Sequence, residues 1–461
     1  MSLPARGPEE FRAAIRRYSG PGPRYTSYPT VPAWSEDFGP AEFRGALASC
    51  SGERFSLYAH VPFCERLCAF CACNRTITQD HGVAGPYLDR IAREVERVAD
   101  AMGGRPQQTQ LAIGGGSPNF LRTDELARLC RILDDAFPPG SGTERSIELD
   151  PRRTEDEQVE CLVELGFNRL SFGVQDLDPR VQEAIRRVSR PERLIELVGL
   201  ARRLGIQSIN FDLIYGLPEQ TLASFQETLT RVLELRPERI ALYGYAHVTW
   251  ISKAQRGFEK KDLPSPESRL GIFAAAAERL GEAGYHYLGM DHFALPDDEL
   301  AKAAQERRLT RNFMGYTVKS GDALLAFGPS GISELPDCYA QAAHSPEDWA
   351  SAIDGGELAI VRGRRLTEED QRRRWLIREL LCNGTISTSG FEKHFGMALA
   401  DEISDLEATL QPFLEDGLLE PVDDGYLVTP EGRFFLRPMA MSFDAYLPPE
   451  GAGPRRFSAT V

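Results

Sequence analysis

Nine cysteines are spread unevenly along 461 residues, and four of them lie close together: Cys64, Cys68, Cys71 and Cys73 in HVPFCERLCAFCACN. The spacing is C-x3-C-x2-C-x-C, at the end of an apolar run that reads as a strand. Three thiolates this near one another can hold three irons of one cubane face, and Cys thiolates are the usual ligands of iron–sulfur clusters. A fourth iron with no protein ligand stands open to a small molecule. Zinc is a competing reading, but it commonly takes two C-x2-C pairs from separate hairpins, and the chain has no second cysteine cluster. Inert packing is the third, and it suits the scattered Cys50, Cys130, Cys161, Cys338 and Cys382 better. GGGSP (Gly114–Pro118) follows the next strand-like run. Glycine allows close backbone approach to a ligand, although a tight turn explains the run equally well on its own. Glu148 in IELDP, Gln175 in FGVQD and Asp212 in NFDLIYG lie at or near the ends of successive strand-like runs, where barrels build active sites. Taken singly, each reads as a solvated or capping residue. His60, His247 and His292 fall in strand-like runs and read as packed or supporting histidines.

These residues need strands to position them. Strand-like runs at 55–63, 108–114, 146–150, 169–174, 208–216 and 239–247 alternate with amphipathic runs such as PYLDRIAREVERVADAM and TDELARLCRILDDAF. Alternation of this kind predicts βαβ units on a parallel sheet, here a partial (β/α)6-type barrel over 51–365, with YHYLGMDHF (285–293) as a possible seventh strand. Residues 1–50 read as an extended N-terminal arm with a short helix near Pro8–Tyr18. After Arg365 three helix candidates and a hairpin turning at Asp-Asp-Gly predict a small, mostly helical, winged-helix-like C-terminal domain over 366–447. Residues 448–461 read as a mobile tail.

Composition narrows the function. With 42% hydrophobic and 26% charged residues the chain has ordinary globular usage. A net charge of −15 provides no broad basic footprint for nucleic acid. There is no apolar run long enough to span a membrane, and the N-terminus has no apolar signal core. A cytosolic setting with reduced thiols is expected, with a monomer as the default.

From PRYTSYPT (23–30) to FDAYL (443–447) the chain resembles the oxygen-independent coproporphyrinogen III oxidases (coproporphyrinogen dehydrogenases) of the radical S-adenosylmethionine (SAM) superfamily. The resemblance rests on LYAHVPFCERLCAFCACN, GGGSP, ELDPR, GFNRLSFGVQD, NFDLIYGLPEQT, YAH, GMDHFALPDDELA, RNFMGYT and DCYAQ, in that order. It implies Cys64, Cys68 and Cys71 as ligands of a [4Fe–4S] cluster, with SAM on the fourth iron. Cys73 matches a family position that is not a ligand, and a packed thiol or a functional one are both open. Tyr58, Gly115, Glu148 and Ile332 are implied to line one SAM. Phe70, Gly116, Ser117, Gln175, Arg187, Asp212 and Ala246 are implied to line a second. The implied substrate is a tetrapyrrole carrying four propionates, two of which lose CO₂ to become vinyl groups. Arg24 and Arg311 are candidates to meet its carboxylates. An electron donor such as a flavodoxin is implied as a partner.

Three positions depart from the family pattern: Met314 stands for Gln in RNFQGYT, Asn119 for Thr in GGGTPT, and Thr249 for Pro in YAH-x-P. A thioether offers almost none of the hydrogen bonds of a Gln amide. Two further readings therefore stay open. One is a diverged relative that methylates or opens a tetrapyrrole or other aromatic substrate. The other is a non-catalytic haem-binding protein, whose relatives typically lack the C-x-C cysteine and the PRYTSYPT arm.

Overall fold

The computed structural model describes residues 8–50 and 54–447. The expected tail at 448–461 lies outside those residues, as do 1–7 and 51–53.

Six strands run parallel in chain order: β1 (Arg54–Val61), β2 (Gln107–Gly115), β3 (Pro139–Leu149), β4 (Arg169–Gln175), β5 (Ser208–Tyr215) and β6 (Arg239–Gly244). Helices cover their outer face. In Ala84–Met102 the buried Tyr87, Leu88, Ile91, Val95 and Val98 recur at helical spacing and form one apolar stripe. On β4 and β5 the residues Leu170, Phe172, Val174, Ile209, Phe211 and Leu213 pack outward, while Ser171, Gly173, Gln175, Asn210 and Asp212 alternate inward. The polar face of these strands therefore lines the inside of the barrel. Neighbouring strands bring Glu148 level with Ser171, and Gly173 level with Asp212.

The run 285–293 is not a seventh parallel strand. It folds as an antiparallel pair, β7 (His286–Gly289) and β8 (His292–Ala294), turning through Met290 and Asp291, which both take positive φ. On the other edge, β9 (Ala323–Phe327) lies parallel to β1, and β10 (Ile332–Leu335), β11 (Cys338–Ala342) and β12 (Ile360–Arg365) extend the sheet antiparallel. The full order is β12-β11-β10-β9-β1-β2-β3-β4-β5-β6-β8-β7. The N-terminal end of the barrel is filled with polar groups: Arg169 pairs with Glu144 at 2.8 Å, Arg239 with Asp298 at 2.9 Å, and Gln110 bonds Glu144 at 2.8 Å.

The arm is less extended than its composition suggests. Pro40–Ser49 is a helix, with Pro at its first turn and Glu42 accepting from the Gly39 N–H at 2.9 Å. Residues 22–34 are strapped down by Arg437, which donates to the Gly22 and Pro23 carbonyls at 2.6 and 3.1 Å, and by Trp34 stacked on Tyr339. The C-terminal part holds helices Glu368–Asn383 and Thr388–Phe395 and a three-stranded sheet of β13 (Thr385–Ser387), β14 (Leu419–Val422) and β15 (Gly425–Val428). The third expected helix is broken into Leu399–Glu402 and Leu406–Glu415, because Ile403 and Asp405 both leave helical geometry. Ala14, Ile15, Tyr25 and Tyr28 of the arm, Leu288, Met290 and Ala294 of the β7–β8 pair and the C-terminal part share one apolar core, while Phe43, Ala46 and Leu47 of the arm helix and Phe293 of β8 pack into that of the barrel.

Glu94 links three elements of the barrel edge. Its carboxyl accepts from the Gly328 N–H at 2.8 Å and from the Trp349 indole at 3.1 Å. Burial pushes it up from the ordinary 4.5 to about 7, against those two hydrogen bonds. The folded chain thus holds this proton more tightly than the unfolded one. The resulting stability is complete below about pH 4.5 and is lost as the pH rises through 7, a swing on the order of 3 kcal/mol. In Glu94→Gln this slope should vanish, so the stability of the variant relative to the parent rises between pH 5 and 8 in chemical denaturation. Parallel curves for the two proteins would contradict it.

Candidate active site

The cysteines sit on a loop that leaves the C-terminal end of β1. After Pro62 the short segment Phe63–Cys64 pairs parallel with Thr76–Ile77. The Thr76 N–H donates to the Pro62 carbonyl at 2.6 Å and the Thr78 N–H to the Cys64 carbonyl at 2.9 Å, which closes the loop at its base. The glycine run lies against this base. The N–H groups of Gly116 and Ser117 donate to the carbonyls of Val61 and Phe63 at 2.8 and 2.9 Å. A Cβ on Gly115 would stand 2.7 Å from the Val61 carbonyl oxygen, and one on Gly116 2.7 Å from that of Phe63. Gly115 also has φ +119. The glycines are therefore required by close backbone contact with the cysteine loop, not only by approach to a ligand.

Cys64, Cys68, Cys71 and Cys73 all line one cavity of about 250 Å³. Arg152 Nη2 and Arg187 Nη1 lie 3.5 and 3.4 Å from Cys68 Sγ. Asp150 holds both guanidiniums, at 2.6 and 3.2 Å. Burial alone would push Asp150 up, yet these cations hold it down at about 2. Cys71 is held low by a hydrogen bond from the Cys73 thiol and by Arg75, while Cys73 is pushed up correspondingly. Burial and the neighbouring Cys71 and Cys68 push Cys64 up to about 12. A thiol this resistant to ionisation gives up its proton when a metal takes its place. Among the described residues no three His, Cys, Asp or Glu side chains converge enough to hold one metal ion. A cubane places one iron at each thiolate, so ligands spread around a face are the arrangement it needs. The donor set and its two guanidiniums, which offset thiolate charge, fit such a cluster.

The opposite wall carries acids. Glu148 accepts from the Gly115 N–H at 3.2 Å, and burial, helped by the charge of Asp212, pushes it up to about 7. Asp212 accepts from Asn210 at 2.9 Å and Ser171 at 3.2 Å. Burial pushes it up to about 6 against those bonds. Gln175 ends β4 with φ +67, a conformation that a non-glycine residue adopts only when its surroundings hold it there. Arg187 Nη2 donates to the Gly173 carbonyl at 2.7 Å.

Of the residues that the resemblance assigns to SAM, Phe70, Gly115, Gly116, Ser117, Glu148, Gln175, Arg187 and Asp212 line this cavity. Tyr58, Ala246 and Ile332 do not. Tyr58 bonds His60 Nδ1 at 3.1 Å, the Ala246 carbonyl accepts from Gln255 at 3.1 Å, and Ile332 is buried on β10. Arg24 stands one ring away: it pairs with Asp291 at 3.0 Å and lies over Tyr243, which lines the cavity. Arg311 is elsewhere, against Tyr316 and beside Tyr25–Tyr28 and Arg374, with Nε and Nη1 buried and unpartnered. His60 and His292 are both pushed down by burial to about 4 and bond backbone carbonyls, and His247 bonds Tyr245 at 3.2 Å.

The departures have definite places. Asn119 is buried, accepts from Ser117 at 2.7 Å and donates to the Asp150 carbonyl and Thr154 at 3.1 Å, so it builds the turn that carries Asp150 and Arg152. Met314 sits in the hairpin between Thr310–Asn312 and Gly315–Thr317, outside the cavity lining. The Thr249 carbonyl accepts from Arg256 at 3.3 Å. Sequence reasoning missed Asp150, Arg152 and Tyr243. ELDPR contained the first two, but nothing in the spacing pointed to their sulfur contacts. It also missed Ser252 and Gln255, which bond the carbonyls of Cys71 and Phe70 at 2.7 and 2.6 Å from far along the chain.

A cysteine loop over the ends of six parallel strands defines a radical SAM protein, and the pattern of the radical SAM superfamily matches residues 58–232. That of the HemN C-terminal domain matches 366–435. The chain is 41% identical over 456 residues to the oxygen-independent coproporphyrinogen III oxidase of Pseudomonas aeruginosa, covering 97% of this chain and 98% of that one. To the Escherichia coli protein of the same name it is 42% identical over 435 residues, covering 94% and 95%. The solved structure of E. coli coproporphyrinogen III oxidase (HemN), described as a radical SAM enzyme, aligns with a TM-score of 0.89 at 41% identity over 94% of this chain and 99% of that one. The chain belongs to the oxygen-independent coproporphyrinogen III oxidase family.

Gly116→Ala forces a methyl group against the Pro62 and Phe63 carbonyls. The expected cost is about 1–3 kcal/mol of overpacking strain, taken up by the cysteine loop. Iron bound after anaerobic reconstitution should fall well below that of the parent while far-ultraviolet circular dichroism is unchanged. Full iron loading would contradict the role given to this glycine.

Proposed function

We propose that this chain oxidatively decarboxylates two propionate side chains of coproporphyrinogen III to vinyl groups, giving protoporphyrinogen IX in oxygen-independent haem synthesis. The observation that carries the reading is the opening of Cys64, Cys68 and Cys71 onto one cavity whose far wall holds Glu148 and Asp212. Family membership over nearly the whole chain supports the substrate. When bound, a [4Fe–4S] cluster with SAM supplies one-electron cleavage of SAM to methionine and a 5′-deoxyadenosyl radical.

The residues have distinct tasks in this reading. Cys64, Cys68 and Cys71 hold the cluster. Arg187, fixed by Asp150 and the Gly173 carbonyl, presents its fork to a SAM carboxylate. Glu148 and Asp212 accept hydrogen bonds from ribose hydroxyls when ionised. A second SAM would lie against Phe70, Gln175 and Asp212, which line the same cavity. Arg24, at the outer side of Tyr243, meets a substrate propionate. Each propionate gives up one β-hydrogen atom, CO₂ and one electron, so the enzyme needs a one-electron donor, for which a flavodoxin-like carrier fits, and an acceptor. Among the described residues no disulfide joins the cysteines, which suits a reducing cytosol. Among the described residues no helix is long and apolar enough to cross a membrane. We take the working unit to be a monomer.

The test is anaerobic turnover of reconstituted protein with SAM, a reductant and coproporphyrinogen III, read by mass spectrometry. Loss of two CO₂ per tetrapyrrole with formation of 5′-deoxyadenosine is expected, and Cys68→Ala should abolish both. Arg187→Lys, which loses the planar fork, should raise KM for SAM by about tenfold. 5′-Deoxyadenosine without a decarboxylated tetrapyrrole would overturn the substrate. S-Adenosylhomocysteine would point to methyl transfer instead.

A further inference from the structure

Three chain segments meet behind the cysteine loop. The Ala69 N–H donates to the Ile185 carbonyl at 2.9 Å, Gln255 Nε2 to the Phe70 carbonyl at 2.6 Å, and the Ser252 hydroxyl to the Cys71 carbonyl at 2.7 Å. The Phe70 ring packs on an apolar cluster of Val181, Ile185, Leu217 and Tyr245. On the outside these same segments expose Leu67, Val188, Trp250 and Ile251, the last two at 58% and 65%. These exposed apolar side chains lie on segments that the same hydrogen bonds hold together, and exposed apolar patches mark interaction surfaces.

The charges around them are of one prevailing sign. Arg66, Arg186, Arg190, Lys253 and Arg256 are exposed on the same segments. The nearby Glu65 is taken up by Arg153 at 3.0 Å and Glu259 by Lys261 at 2.9 Å, while Glu183 and Glu192 are exposed acids on the Arg186–Arg190 side. In a chain of net charge −15 with only six lysines, a basic rim here runs against the overall balance.

We propose that this face, with apolar Leu67, Val188, Trp250 and Ile251 inside a rim of Arg66, Arg186, Arg190, Lys253 and Arg256, docks a small acidic one-electron carrier protein. The inference rests on the radical reading above, which requires reduction of a cluster held by Cys64, Cys68 and Cys71. The carrier is oxidised by one electron and the cluster is reduced by one. No atom crosses the interface. The surface loop reaches a cluster ligand directly, since Ser252, two residues from Trp250, bonds the Cys71 carbonyl. Opposite charge on the carrier raises the encounter rate and fixes its orientation, while the apolar centre excludes water.

The test uses reconstituted holoenzyme without SAM, so that it does not depend on turnover. Loss of cluster absorbance is followed after mixing with a reduced flavodoxin or, separately, with dithionite. The double variant Arg190→Glu/Lys253→Glu and the single variant Trp250→Ala should each be reduced about tenfold more slowly by the flavodoxin and at the parent rate by dithionite. The flavodoxin rate of the parent should fall with added salt, and that of the charge variant should not. Parent rates in the variants with flavodoxin would overturn the proposal, as would equal slowing with both reductants. A concentration-dependent dimer abolished by Trp250→Ala would also overturn it, by assigning the face to a second copy of the chain. A parent that is reduced by flavodoxin in this way but yields no 5′-deoxyadenosine once SAM is added keeps the docking face and overturns the radical reading instead.

Discussion

The site depends on one contact that only glycine permits. The end of β2 lies so close to Val61–Phe63 that a methyl group at Gly115 or Gly116 would overlap a carbonyl oxygen. That approach lets two backbone hydrogen bonds seat the base of the cysteine loop on the neighbouring strand. The loop then turns over the mouth of the barrel, and its sulfurs open onto the cavity. A loop of this length with no regular structure would otherwise place three sulfurs poorly. Pinning it at its base, and again through Ala69, Phe70 and Cys71, replaces that freedom with a defined geometry.

The barrel beneath has two polar levels inside an apolar shell. The outward residues of β4 and β5 supply the packing, so the inward positions are free to carry charge. At the N-terminal end those charges neutralise one another, Arg169 with Glu144 and Arg239 with Asp298. At the C-terminal end they do not. Glu148 and Asp212 share one wall of the cavity, and burial pushes both up. Unpaired buried carboxylates are costly, and a site that keeps them is suited to binding a partly cationic, hydroxyl-bearing ligand. Asp150, by contrast, is fully engaged with Arg152 and Arg187, and the three form a rigid bracket beside Cys68.

Much of this was legible in the residues. The cysteine cluster, the six parallel strands and the place of the acids at or near strand ends were legible because each depends on local pattern. The antiparallel edge β10–β11 was missed because Ser333, Glu334 and Gln341 are buried there, which removes the alternation that marks a strand. Their burial is explained only by distant partners, such as Arg378 for Glu334. The run 285–293 misled because its turn uses Met290 and Asp291 at positive φ, where Gly or Asn would have announced it. The place of Asn119 in the Asp150 turn, and of Ser252 against Cys71, depended on contacts between remote segments that no spacing rule reveals.

In the proposed reading the glycine-seated loop supplies three thiolates and leaves one iron facing the cavity. Mössbauer spectroscopy of protein reconstituted with ⁵⁷Fe, with and without SAM, tests it most directly. One iron of the [4Fe–4S] cluster should be distinct from the other three and change its isomer shift when SAM is added. Four irons that remain equivalent and unaltered by SAM would mean that a fourth protein ligand closes the site, and would contradict it.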